Sequence, residues 1–231
     1  VILLTTTAPY FTDGNTPKES GAQVYLVTDA ADTILFAEDP SRPGHYVTDT
    51  RAVKGTYYTL HIVTAAGDRF ESYPETANRN APIDSIYTDF EEEDRGPFLA
   101  GYSVLINTVE PAGIGDYYRW IYYVDGEFSG TPEDLIIASD EFVDGNEVNE
   151  LLVAQGLEEG QFVKISQLAI SERAFNYWTL VQEQTVFSGG PFDPPPAPIP
   201  SNVRNLTDES LQPLGLFSVA TAESAEILIT P

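Results

Sequence analysis

The sequence predicts a mainly β protein built from two β-sandwich-like domains, with one long α-helix in the second. Three observations predict it. β-branched and aromatic runs recur at short spacing between turn residues, the pattern of stacked antiparallel sheets. Residues 74–82 carry two prolines and two asparagines with no apolar periodicity, which marks a domain boundary. Beyond it, Phe175, Trp178 and Val181 repeat at i, i+3 and i+6, a helical stripe facing a sheet.

The first domain is assigned to residues 1–78 and reads as an immunoglobulin- or transthyretin-like sandwich. Its opening run, Val1-Ile2-Leu3-Leu4-Thr5-Thr6-Thr7, reads as a buried strand. A chain that opens in mid-strand is expected to lack a strand or a lipid anchor upstream. Asp13-Gly14-Asn15 and Pro17 form a loop, and strands follow at 24–28, 33–37, 45–48 and 57–64. In the last of these, Tyr58, Leu60 and Ile62 share one face and Thr59, His61 and Val63 the other, as a half-buried strand requires. Ala65-Ala66-Gly67-Asp68 turns into a strand at 69–72.

The second domain is assigned to residues 79–231. Strands are expected at 83–90 and 99–109, flanking the acidic loop Glu91-Glu92-Glu93-Asp94. Residues 117–124 place Tyr118, Trp120, Tyr122 and Val124 on one face and Tyr117, Arg119, Ile121 and Tyr123 on the other, so this strand should be central. Asp125-Gly126 ends it with a hairpin signal. Further strands are expected at 135–138 and 162–170. Ser171 caps a helix over about 172–186, with Trp178 against a sheet and Gly189-Gly190 as its stop. Residues 191–200 hold six prolines and form an extended strap. Residues 214–221 and 225–229 read as a closing strand pair.

Charge narrows the function. Thirty-six Asp and Glu face 11 Lys and Arg, for a formal charge of −25. Nucleic acid and an anionic lipid surface would both be repelled, whereas a basic partner or salt-adapted solubility fits. Cysteine is absent, so disulfides, thiolate metal sites and a cysteine nucleophile are excluded. No run approaches the roughly 18 apolar residues of a spanning helix.

Catalytic patterns are equally sparse. The two histidines, His45 and His61, have no Gly-x-Ser-x-Gly elbow and no His-Glu-x-x-His spacing beside them, so the chain reads as non-catalytic and without a cofactor. Calcium is the one ion the composition suits, because it takes clustered oxygen ligands. Asp140, Asp144, Asn146 and Glu147 are the candidates, against the plainer reading of a solvated acidic loop. The aromatics of 117–123 could stack on sugar rings, although a central strand makes them core. Asn205-Leu206-Thr207 is a glycosylation sequon if the source glycosylates asparagine.

An ordered set of landmarks points to a family. It comprises Ser20-Gly21-Ala22-Gln23-Val24, Gly44-His45-Tyr46 and Tyr57-Tyr58-Thr59-Leu60 in the first half. In the second half come Ile83-Asp84-Ser85-Ile86-Tyr87, Asp116-Tyr117-Tyr118-Arg119, Tyr123-Val124-Asp125-Gly126, Gly189-Gly190-Pro191-Phe192 and Leu214-Gly215-Leu216-Phe217-Ser218. Over nearly its whole length the chain resembles the Bacteroidota surface lipoproteins catalogued as domain of unknown function 4249. That resemblance implies an upstream lipid-bearing cysteine and an outer-membrane, cell-surface location. It also implies gene neighbourhood with TonB-dependent transporters, hence an accessory role beside an outer-membrane β-barrel, by docking and with ligand capture open. A free-standing adhesive or glycan-binding module is the alternative. Asp84-Ser85-Ile86 and Asp32-Thr33-Ile34 resemble the O-glycosylation signal of exported Bacteroidota proteins, with Ser85 and Thr33 as acceptors.

Overall fold

A computed structural model describes residues 1–8, 16–96, 98–185 and 197–231. Seven strands come first: β1 (Ile2–Leu3), β2 (Gln23–Thr28), β3 (Thr33–Glu38), β4 (His45–Val47), β5 (Tyr57–Val63), β6 (Arg69–Ser72) and β7 (Glu75–Thr76). Then follow β8 (Ile83–Glu91), β9 (Gly101–Val109), β10 (Tyr117–Val124), β11 (Glu127–Ser129), β12 (Ile136–Ser139), β13 (Glu147–Leu157) and β14 (Phe162–Ile170). Helix α1 (Glu172–Thr185), β15 (Val203–Asn205) and β16 (Thr221–Leu228) complete the order. Strand accounts for 47% and helix for 8%, so the protein is mainly β, with a single α-helix among the described residues.

The chain divides into two compact units, residues 1–76 with 198–219, and residues 77–197 with 220–231. The division falls inside the 74–82 stretch. One segment differs from the sequence assignment: 198–219 belongs with the first unit, not the second. There β15 pairs antiparallel with β6, Val203 opposite Ser72, and covers an edge that would otherwise stand open. Asn202 locks the segment down. Its buried amide donates to the Phe217 carbonyl at 2.6 Å and to Glu75 Oε1 at 3.1 Å, and its Oδ1 accepts from the Phe217 N–H at 2.8 Å.

In the first unit the strands run β1-β4-β3-β2-β5-β6-β15, with β7 on β5. Alternate positions supply the core: Val24 and Leu26 of β2, Tyr46 of β4, and Tyr58, Leu60 and Ile62 of β5. The face read for β5 is therefore the buried one. The opening run is shorter than expected. Only Ile2–Leu3 is strand, with a lone bridge from Thr5 to Lys18, and Val1 and Leu3 are exposed. Its partner β4 is three residues long and offers no further ladder.

The second unit stacks two sheets. One is β13-β9-β8; the other is β11-β10-β14-β16 with β12 also on β10. Val104, Ile106, Val153 and Leu157 from the first meet Tyr118, Trp120, Tyr122, Val163 and Ile165 from the second in one buried cluster. β10 is flanked on both sides, as its two apolar faces demand. Gln167, fully buried on β14, carries a polar network through this core. Its Nε2 donates to Asn80 Oδ1 at 3.1 Å and to the Ala81 carbonyl at 2.8 Å, and its Oε1 accepts from Trp120 Nε1 at 3.0 Å. Asn80 in turn donates to the backbone carbonyls of Gln167 and Thr221. The start of the second unit is thus stitched to β14 and β16.

Helix α1 covers the opposite face of β10. Ser171 caps it, its Oγ accepting from the Ala174 N–H at 3.1 Å. Tyr117 meets Phe175 with ring centroids 5.1 Å apart, and the Arg119 guanidinium lies 3.6 Å from the Trp178 ring centroid. Trp178 does face the sheet, half-buried, with a cation on its ring. Asp125-Gly126 makes the expected hairpin, both residues at positive φ (52° and 87°) as a two-residue primed turn requires.

Two readings of the second half need correction. β16 is one continuous strand pairing β14 from Phe162–Leu228 to Ala169–Thr221, while residues 214–220 are not strand and Phe217 and Val219 are buried in the first unit. β13, eleven residues long, has no counterpart in the sequence reading. Its ladder with β9 shifts register at three places, which breaks the two-residue alternation that would have announced it. Gly189-Gly190 and residues 191–196 of the strap lie outside the described residues.

Candidate functional site

Strand pairing brings three carboxylates together at one end of the second unit. Glu110 follows the last residue of β9, Asp116 precedes β10, and Asp140 follows β12. Tyr117 pairs with Ser139, so Asp116 and Asp140 are the next residues outward, and the Asp140 N–H donates to the Asp116 carbonyl at 3.1 Å. Glu110 arrives beside them because β9 pairs with β13. Its N–H donates to the Asn146 carbonyl at 2.9 Å, one step beyond the Val109–Glu147 pair. The three side chains are 3%, 7% and 2% exposed, with carboxylate oxygens within 4.8 Å of one another.

Each acid has its own donor. The Tyr118 hydroxyl donates to Glu110 Oε1 at 2.9 Å, and the Gly115 N–H bridges both Asp140 oxygens at 2.9 and 3.1 Å. Arg79 Nε donates to Asp116 Oδ2 at 2.6 Å. The same guanidinium collects the carbonyls of Pro111, Ala112 and Gly113, so the loop 111–115 is wound around it. Gly113 and Gly115 make that winding cheap, with φ of 117° and 120°.

Electrostatically the cluster is short of positive charge: three carboxylates meet one guanidinium. Burial pushes the Glu110 carboxyl up to about 7; the Asp116 and Asp140 charges add to this, while the Tyr118 hydrogen bond works against it. Burial and the Glu110 carboxylate raise Tyr118 as well. The arrangement can therefore store a proton at near-neutral pH. Its carboxylate oxygens are also close enough to share one calcium ion.

A pH dependence follows. The folded Glu110 value lies above the ordinary 4.5, so between about 4.5 and 7 the folded state holds the extra proton. This contribution to stability is fully present below about pH 4.5 and is lost as pH rises through about 7, roughly 3 kcal/mol in all. Urea unfolding at pH 5 and pH 8 should show the wild type losing more stability across that interval than Glu110→Gln. Equal losses would show that Glu110 titrates normally.

The family comparison covers this whole region: the family described as domain of unknown function (DUF4249) matches residues 1–226. The chain belongs to the DUF4249 family. No curated protein and no solved structure matches it.

In this DUF4249 chain, the four calcium candidates have different partners. Asp140 joins Glu110 and Asp116. Asp144 Oδ1 accepts from the Gly113 N–H, Asn146 donates to the Asp144 carbonyl, and Glu147 is exposed at the start of β13. Sequence reasoning missed Glu110, Asp116 and Arg79. The available signal was that each acid abuts the end of an expected strand, but which ends meet depends on the pairing. His61 stacks on Tyr25 at 5.0 Å and lies 3.6 Å from Glu71; His45 Nδ1 sits 3.3 Å from the Pro43 carbonyl. Ser85 on β8 and Thr33 on β3 are both exposed, so both hydroxyls can be reached. Asn205 Oδ1 accepts from the N–H groups of Thr207 and Asp208, an Asx turn.

Proposed function

We propose that this protein is a non-catalytic accessory subunit at the cell surface, seated against an outer-membrane β-barrel of the TonB-dependent transporter kind and acting by docking. One contrast carries the reading: apolar side chains stand out at loop tips while the aromatic strand is buried. Phe142 and Ile114 are exposed on strand-connecting loops, where a partner can cover them. Tyr118, Trp120 and Tyr122 are core residues, so they offer sugar rings no stacking platform, and the adhesive alternative loses its best feature. Buried Gln167 bonds to half-buried Asn80 and to backbone, and in the first unit buried Asn202 bonds to Glu75 and to backbone, as structural staples do. An anchor upstream or the barrel itself would hold the chain at the membrane, since no helix among the described residues is long and apolar enough to cross it.

The test is mild-detergent extraction of native membranes, affinity purification of this chain, and mass spectrometry of what accompanies it. A stoichiometric β-barrel is the expected result. Recovery of the chain alone, under conditions that preserve other barrel complexes, would refute the accessory role and favour the adhesive module.

A further inference from the structure

We infer that the paired loops 111–115 and 140–146 form a pre-set docking knob that inserts Phe142 and Ile114 into an apolar pocket with a basic rim on a partner protein. This deepens the accessory-subunit reading and rests on it.

The two residues are unusually open for their kind. Phe142 is 88% exposed and Ile114 76% exposed, the highest values of any phenylalanine or isoleucine described. Each sits in a short connection, Ile114 between β9 and β10 and Phe142 between β12 and β13, and the two connections are tied to one another. The Gly113 N–H donates to Asp144 Oδ1, and the Gly115 N–H donates to Asp140. The Glu110 N–H donates to the Asn146 carbonyl, and a Cβ on Gly145 would stand 3.3 Å from Ala112 Cβ. Within the second loop, the N–H groups of Val143 and Asp144 both reach the Asp140 carbonyl. From below, Arg79 holds three consecutive carbonyls of the first loop. A loop pair so held loses little conformational entropy when a partner covers it, and that pre-organisation distinguishes a docking element from a floppy tip.

Charge selects the occupant. Glu141 is exposed and Asp144 half-exposed on this loop pair, and Glu147, the first residue of β13, is exposed beside it. The neighbouring guanidinium, Arg79, is already committed to Asp116. Exposed apolar side chains with acids beside them on the same tied loops are complementary to an apolar pocket edged by lysine or arginine. A second copy of the chain would itself carry a net charge of −25 and be repelled as a whole. A lipid surface would require the acids to approach anionic headgroups. The partner is therefore a protein.

A photo-reactive phenylalanine analogue placed at position 142, and as a control at exposed Leu35 on β3, tests this in the native membrane. Crosslinking to the co-purifying barrel from position 142 and not from 35 is expected. The double variant Ile114→Ser/Phe142→Ser, whose changes are at exposed positions and should leave the unfolding midpoint unchanged, should bind the barrel about a hundredfold more weakly. Glu141→Lys should slow association and reduce its dependence on salt. If the barrel co-purifies but crosslinks only from position 35 and tolerates the double variant, the knob is overturned and the accessory role stands. If no barrel accompanies the wild type, the accessory role falls and the knob with it. Crosslinks from 142 to a second copy, or binding of the purified chain to lipid vesicles that the double variant abolishes, would also overturn it.

Discussion

Replacing Arg79 by methionine is expected to destabilise the second unit by about 2–3 kcal/mol, less than for a fully buried ion pair because the guanidinium is partly exposed while Asp116 is not. Methionine keeps much of the apolar stem and removes every donor. Asp116, almost wholly buried, would lose its only ion-pair partner among the described residues, and the carbonyls of Pro111, Ala112 and Gly113 would lose a shared donor. Glu110, Asp116 and Asp140 would then face one another without a cation. Coulomb repulsion among buried carboxylates is relieved by taking up protons, so the loss should be smaller at pH 5 than at pH 8. Adding Asp116→Asn to Arg79→Met should restore part of the stability, because it removes the uncompensated charge; a double-mutant cycle by urea unfolding measures the coupling. A loss below about 1 kcal/mol at pH 8 would mean that solvent, not the guanidinium, neutralises the cluster.

Gln167→Leu should cost about 3 kcal/mol or more, although it removes no appreciable volume from the core. The substitution leaves Trp120 Nε1, Asn80 Oδ1 and the Ala81 carbonyl without the partner that now satisfies them, and each buried orphan costs roughly 1–3 kcal/mol. Trp120 provides the readout, since its fluorescence should change when the indole N–H loses its acceptor. Combining Gln167→Leu with Trp120→Phe removes one of the orphans and should therefore cost less than the two single changes added together. Full additivity would show that the indole and the amide do not act as a pair.

How much of this was legible beforehand follows from the range of the interactions. The alternation Tyr58, Leu60, Ile62 and that of Tyr118, Trp120, Tyr122 name buried faces because strand geometry alone sends every second side chain to one side. Ser171 and the Phe175–Trp178–Val181 stripe place α1 and its start at Glu172, since capping and helical periodicity are local; residue 186, the expected end, lies outside the described residues. Asp125-Gly126 announces its own turn.

The sequence alone therefore carried the mainly β class, the helix after Ser171, the buried faces and an acidic composition without cysteine. Family membership could be read there as well, from landmarks spread along the chain. What it could not decide was which distant segments meet. Residues 198–219 return to the first unit because β6 has an open edge, and no local pattern records an edge. β13 escaped notice because its bulges interrupt the alternation. Asp140 could be singled out as one acid among many, but Glu110 and Asp116 join it only through the pairing of β9 with β13 and of β10 with β12. Hydrogen bonds between strands depend on backbone groups that every residue carries, so the register that gathers three carboxylates beneath two loops is a property of the folded sheets alone.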